Sequence, residues 1–209
     1  MLIWGSSWLA IHFQLGEVAP EVSIAYRFIL ASGLLVIWCR LRRISLRIAL
    51  RHHPFLALLG LSLFSLNYLL FYYAAFDLAT GLLAVIFSTM TVMNIFNSAI
   101  FLRRQIQKKT VLAVVFGLTG MALVFWPEIT TSGPRVAAAI GISLIATYLA
   151  SIGNIVSARN QNHGLPVAST NTIGMAYGAL FMLAYSAGSG APFVIDTSAA
   201  YIGSLLFLA

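Results

Sequence analysis

Residues 54–74 read PFLALLGLSLFSLNYLLFYYA, a run without a single charged side chain. A helix needs about 20 predominantly apolar residues to cross the hydrocarbon core of a bilayer. The apolar residues are continuous and show no alternation of period two, which disfavours a membrane β-barrel. Because lipid offers the backbone no hydrogen-bond partner, we predict that this segment is a transmembrane α-helix.

The composition extends this prediction to the whole chain. Of its 209 residues, 60% are hydrophobic and 8% are charged, whereas a soluble domain has about 25% charged residues. So few charges cannot cover the surface of a soluble protein of this size without exposing large apolar patches. We therefore predict an all-α, polytopic bundle of transmembrane helices embedded in a lipid bilayer.

Eight apolar segments are separated by short connections, most of which contain the turn residues Gly, Pro, Asn or Asp. The predicted spans are 2–15, 22–39, 54–74, 81–102, 110–126, 136–157, 167–187 and 199–209. The last segment is too short to cross a bilayer. The pattern therefore predicts seven full spans and a truncated eighth, and we expect a fragment of a longer protein or a truncated gene product.

The charged residues indicate how the bundle is oriented. Ten of the 12 basic residues lie in the connections after the second, fourth and sixth spans: Arg40, Arg42, Arg43, Arg47, Arg51, Arg103, Arg104, Lys108, Lys109 and Arg159. The opposite side carries Arg135 and all five acidic residues. Cytoplasmic loops are enriched in Lys and Arg, so we expect a cytoplasmic N-terminus. The net charge of +7 therefore reports membrane orientation, and no nucleic-acid partner is expected.

Several short motifs carry a family resemblance. They are Trp4-Gly-Ser-Ser-Trp8, Pro20, Tyr26-Arg27-Phe28, Tyr72-Tyr-Ala-Ala-Phe76 and Gly120. In these residues the chain resembles the EamA-type transporters of the drug/metabolite transporter superfamily. The likeness covers residues 1–126 as one five-helix repeat, and residues 136–209 resemble the start of a second, incomplete repeat.

The resemblance implies a ten-helix carrier made of two inverted five-helix repeats, because an odd number of helices turns the second repeat upside down. Pro20-x-x-Ser23 and Pro166-x-x-Ser169 occupy matching places in the two halves. The implied function is a secondary transporter that exports small metabolites such as amino acids by alternating access. The implied location is a bacterial inner membrane, and no cofactor is implied.

Polar side chains within the predicted spans are the candidates for a substrate site. They are Trp8, His12, Arg27, Asn67, Tyr68, Thr91, Asn94 and Asn154. Arg27 is the strongest signal, because a charge within a span is unfavourable unless it pairs, snorkels or faces water. It contacts a substrate carboxylate or gates the cavity, or else it anchors the bundle by snorkelling or by pairing with Glu17 or Glu21.

The other candidates also have two interpretations. Thr91, Asn94 and Ser98 follow the spacing i, i+3, i+7, so they share one helix face that either lines a cavity or joins helices. His12 is a candidate for proton coupling, or a hydrogen-bonded residue at the interface. Trp8 is a stacking surface for substrate, or a packing residue.

Two alternatives to a transporter remain at this point. A membrane-embedded enzyme needs titratable groups within reach of one another, and inside the predicted spans only His12 and Arg27 qualify. His52 and His53 are adjacent and point about 100° apart on a helix, so they do not form a metal site. A truncated, non-transporting membrane protein is the second alternative.

Overall fold

The computed structural model describes residues 7, 10–11, 13–14, 16–131 and 133–209, and these residues contain helices and no strand. The helices are α1 (Pro20–Leu41), α2 (Leu50–Ala74), α3 (Thr80–Leu102), α4 (Lys108–Thr131), α5 (Pro134–Asn162), α6 (Val167–Ser189) and α7 (Ala199–Leu208). Helices account for 79% of these described residues. The prediction of an all-α fold with apolar helices that can span a membrane is confirmed.

The predicted number of spans is not confirmed. Within the described residues, five helices are long and apolar enough to cross a membrane, namely α1, α2, α3, α5 and α6. The predicted span 110–126 lies inside α4, which is not among these five, and the predicted span 199–209 corresponds to the shorter apolar helix α7. The predicted span 2–15 lies largely outside the described residues.

Two of the long helices are interrupted. In α2, the α-helices His53–Leu61 and Asn67–Ala74 flank a π-helical turn, Ser62–Leu66. In α3, the α-helical hydrogen-bond pattern breaks at Thr89, whose Oγ1 donates to the carbonyl oxygen of Ile86 at 2.6 Å. Such irregularities are tolerated in lipid when side-chain hydroxyls bond the backbone.

Helices α1 and α6 run antiparallel and form the most extensive helix pair. At one end, Ser189 Oγ donates to Glu21 Oε1 at 3.3 Å. Near the other end, Ser32 Oγ donates to the carbonyl oxygen of Thr172 at 3.0 Å. Helix α2 packs against both α5 and α6, and α3 packs against α5. The main buried cluster lies where α2 meets α1 and α6.

Glycine permits the close approach of α2 to its neighbours. A Cβ added at Gly178 of α6 would lie 2.7 Å from Phe64 Cβ, and one added at Gly60 of α2 would lie 2.6 Å from the carbonyl oxygen of Gly174. Gly174 and Gly178 form a G-x-x-x-G pattern, in which two small residues on one helix face allow backbones to meet. These contacts fix the position of α2, which carries part of the candidate site.

Candidate functional site

A cavity of about 170 Å³ lies at the junction of α1, α2 and α3. It is lined by Ser7, Ile11, Arg27, Asn67, Tyr68, Phe71 and Phe87. Three of the residues singled out from the sequence, Arg27, Asn67 and Tyr68, therefore line one cavity. Its walls combine one cation, two hydrogen-bonding groups and aromatic rings, which is the usual make-up of a small-molecule pocket.

The guanidinium of Arg27 lies inside the bundle, with 8% of the residue exposed. Its Nε donates to the carbonyl oxygen of Leu208 at 3.0 Å, and its Nη2 lies 3.5 Å from the Tyr68 hydroxyl. The guanidinium carbon is 4.5 Å from the centre of the Tyr68 ring and 5.3 Å from that of Phe28. Cation–π contacts of this kind are strongest where water is excluded. The aromatic rings therefore help to hold the charge in the cavity wall.

Arg27 does not form an ion pair with Glu21. The carboxylate of Glu21 instead accepts hydrogen bonds from the hydroxyls of Tyr73 and Ser189. Nη1 of Arg27 is buried and has no hydrogen-bond partner among the described residues. An unpaired charged donor is unfavourable in a low-dielectric interior. The arrangement is therefore suited to an anionic group that enters the cavity.

Two further polar groups near Arg27 lack hydrogen-bond partners within the described part of the chain. The Asn67 side chain is buried, and its Oδ1 accepts no hydrogen bond. The Tyr72 hydroxyl, on the same helix, is also buried; it makes no hydrogen bond within 3.5 Å among the described residues, but it lies close enough to Arg27 for an electrostatic interaction. An unused acceptor beside an unused cationic donor matches a ligand that carries both an anionic group and a hydrogen-bond donor.

The remaining described candidates lie apart from this cavity. Thr91, Asn94 and Ser98 line a second pocket of about 450 Å³ with the 104–107 connection and Thr110. Asn154 of α5 is oriented toward α3, with its Nδ2 3.5 Å from Asn94 Oδ1. One helical turn after Asn94, the Nδ2 of Asn97 donates to Ser151 Oγ at 2.8 Å, and both residues are buried. This face of α3 therefore combines a pocket-lining edge with a helix-joining edge.

Two candidates, Trp8 and His12, lie outside the described residues. The cavity also includes residues that the sequence did not single out. Phe71 lies one helical turn after Asn67, so helical spacing could have identified it. Phe87 comes from α3, and only the tertiary structure brings it to the cavity.

In the described part of the chain, no group of three His, Cys, Asp or Glu residues could hold a metal ion.

These features define a multi-pass membrane protein whose helices enclose a small, partly polar cavity. The chain belongs to the EamA-like transporter family, whose model matches residues 1–126. The chain is therefore assigned to a family of membrane transporters in the drug/metabolite transporter superfamily.

One curated relative is similar over much of the chain. Protein PagO of Salmonella typhimurium is 25% identical over 131 residues, which cover 63% of this chain. The matched region spans 43% of that relative, which is less than half of its length. No solved structure matches the chain.

Proposed function

We propose that this chain is part of a secondary transporter that moves small carboxylate-bearing metabolites, such as amino acids, out of the cell by alternating access. Its substrate-binding residues would be Arg27, Asn67 and Tyr68 at the first cavity, Thr91 and Asn94 at the second pocket with Asn154 beside them, and also Trp8 and His12. The observation that carries this proposal is the buried guanidinium of Arg27, whose Nη1 has no partner within the described residues. A substrate carboxylate would supply the missing acceptor.

The shape of the cavity supports a small substrate. A volume of about 170 Å³ is below the usual range of drug-sized pockets, about 300–1,000 Å³. Phe71 and Phe87 provide apolar walls, and their ring centroids lie 5.5 Å apart. A compact molecule with one anionic end and an apolar or aromatic side chain matches these walls best.

The contacts of α1 and α6 support an inverted-repeat transporter in which residues 1–126 form the first repeat and residues 136–209 begin the second. Two repeats related by a two-fold axis bring their equivalent helices together at that axis. Helices α1 and α6 occupy equivalent places in this scheme and form an antiparallel pair. A serine in the first turn of each helix contacts the other half of the chain: Ser23 Oγ lies 2.8 Å from the Tyr201 hydroxyl, and Ser169 Oγ donates to the carbonyl oxygen of Ser45 at 2.8 Å.

The orientation of the chain in the membrane and the coupling of transport to protons are part of the same proposal. The basic connections face the cytoplasm of a bacterial inner membrane, the N-terminus is cytoplasmic, and His12 is the candidate group for proton coupling. An alternating-access cycle would expose Arg27 to each side in turn. Substrate release would then require another acceptor for the guanidinium in place of the carboxylate.

The proposal is tested by flux into everted membrane vesicles that contain the chain. Radiolabelled amino acids should accumulate above the level of empty vesicles, and the matching decarboxylated amines should neither accumulate nor compete. Arg27→Gln should abolish the accumulation, whereas Arg47→Gln, which removes an exposed loop charge, should preserve it. Flux equal to that of empty vesicles across the panel would refute transport, and equal competition by the amines would refute the carboxylate contact.

A further inference from the structure

A third cavity opens between α2, α3 and α5, at the end of the bundle where α2 begins and α3 and α5 end. Its volume is about 350 Å³. It is lined by Phe55, Leu58, Phe101, Leu102 and Ile155 among other apolar residues, and by one charged residue, Arg159. Leu58 and Phe101 are also exposed on the outer surface of the helices, by 41% and 56%. The cavity is therefore an apolar groove with a cation at one end.

Arg159 is positioned by the groove itself. Its guanidinium carbon lies 3.2 Å from the centre of the Phe55 ring, and its Nη1 donates to Asn160 Oδ1 at 3.2 Å. Within the described residues, this is the hydrogen bond that the side chain of Arg159 donates. Its Nε and Nη2 are therefore available to an outside acceptor. The ring and the amide hold the guanidinium at the mouth of the groove without neutralising its charge.

The surroundings of Arg159 are basic. The His52 and His163 rings lie 5.8 Å apart, and Arg51 Nε donates to His52 Nε2 at 3.2 Å. Arg103 and Arg104 follow Leu102 at the end of α3. By chain order, the five acidic residues of the protein belong to the opposite ends of the helices: Glu17, Glu21, Asp77, Glu128 and Asp196. This end of the bundle thus has excess positive charge, which favours the binding of an external anion.

The depth of these groups suits a membrane lipid. Arg159 lies in the last turn of α5, where a membrane-spanning helix would reach the headgroups. Ile152, which also lines the groove, lies two turns further from this end, or about 10 Å. Basic pockets between transmembrane helices on the cytoplasmic side favour anionic headgroups. An apolar groove that continues toward the bilayer centre accommodates an acyl chain without exposing polar backbone.

We propose that this groove binds an anionic phospholipid of the cytoplasmic leaflet, with its phosphate on Arg159 and one acyl chain along Phe55, Leu58 and Ile155. Arginine suits this task, because its planar guanidinium donates two parallel hydrogen bonds to a phosphate. The site is separate from the cavity around Arg27, and it does not depend on the transported substrate.

The test compares two lipids that share the same acyl chains, dioleoyl phosphatidylglycerol and dioleoyl phosphatidylcholine. The full chain is purified in detergent with equal amounts of both, and retained lipid is counted by native mass spectrometry. We expect phosphatidylglycerol to be retained about five-fold over phosphatidylcholine, the preference that one arginine near the headgroups gives. Arg159→Gln should reduce the ratio to about one. Arg47→Gln removes the same charge from an exposed loop and should leave the ratio unchanged.

A second variant tests the groove rather than the charge. Leu58→Trp places a large ring in a partly exposed position of the groove and should reduce retention of both lipids. Full retention in Leu58→Trp would overturn the acyl-chain site, and equal retention of the two lipids by the unaltered chain would overturn the headgroup site. An equal loss of preference in Arg47→Gln and Arg159→Gln would assign the effect to diffuse surface charge instead and would also overturn the proposal. The melting temperature of each variant confirms that it is folded.

Discussion

The Tyr68 ring lies against the guanidinium of Arg27, with 4.5 Å between the ring centre and the guanidinium carbon. The Tyr68 hydroxyl is 3.5 Å from Nη2, at the long limit for a hydrogen bond. The ring face therefore contributes more to this pair than the hydroxyl does. Because Nη1 of the same guanidinium is unpaired in the described part of the chain, the ring orients the group that we propose binds substrate.

Substitutions of Tyr68 separate these two contributions. Tyr68→Phe keeps the ring, so binding of a labelled amino acid should stay within about two-fold of the unaltered chain. Tyr68→Ala removes a desolvated cation–π contact of about 2 kcal/mol and should weaken binding by up to about thirty-fold. Equilibrium binding to the purified protein measures both. An equal loss in the two variants would show that the hydroxyl, rather than the ring, is the important group.

The close crossing of α2 and α6 predicts a strong effect at Gly178. A Cβ there would lie 2.7 Å from Phe64 Cβ and 2.8 Å from the Phe64 carbonyl oxygen, so the helices must move apart. We expect Gly178→Ala to lower the free energy of unfolding by about 1–3 kcal/mol, the typical penalty for overpacking. Thermal unfolding in detergent measures the change.

Gly141 provides the matched control for this prediction. It lies in α5, and a Cβ added there meets no atom within 4 Å. Alanine is a better helix former than glycine by about 1 kcal/mol, so Gly141→Ala should preserve or raise the melting temperature. A similar loss in both variants would contradict the close crossing as the cause.

The sequence predicts the helices better than their arrangement. The span 54–74 lies within α2, because a long apolar run has few alternatives to a helix in lipid. The π-helical turn Ser62–Leu66 has no comparable signal in the sequence; it lies where α2 closely approaches Gly153 and Gly178. The G-x-x-x-G pattern of Gly174 and Gly178 can be recognised in the sequence. The residues of α2 that pack against it, Leu59 and Phe64, cannot.

In the candidate site, too, the sequence identifies individual residues but not the contacts between helices. Arg27 stands out in the sequence because a charge within an apolar span is rare. The sequence leaves open whether it pairs with Glu21, and the structure shows Glu21 bonded to Tyr73 and Ser189 instead. Spacing along one helix relates Asn94 to Thr91, but the approach of Asn154 from α5 depends on packing between helices. Contacts between distant segments are therefore what the sequence alone could not supply.

Asn94 and Asn97 lie one turn apart on α3 and should respond differently to substitution. Asn97 donates to Ser151 at 2.8 Å in a buried contact between helices. Such bonds contribute about 0.6 kcal/mol and up to about 1.7 kcal/mol, so Asn97→Ala should lower the melting temperature. Asn94 lines the second pocket, so Asn94→Ala should reduce flux while it changes the melting temperature little. The reverse assignment of effects would contradict these roles.

The antiparallel contact of α1 and α6 can be tested with one substitution, because Cys39 is the only cysteine of the chain. Its Sγ lies 3.8 Å from Thr172 Oγ1. Thr172→Cys should therefore form a disulfide with Cys39 under mild oxidation, and the maleimide-reactive thiols of the unfolded protein should fall from two to none. Ser186→Cys, on the same helix but displaced by about 21 Å at helical rise, should keep both thiols. Two thiols remaining in oxidised Thr172→Cys would show that α1 and α6 do not meet at these residues.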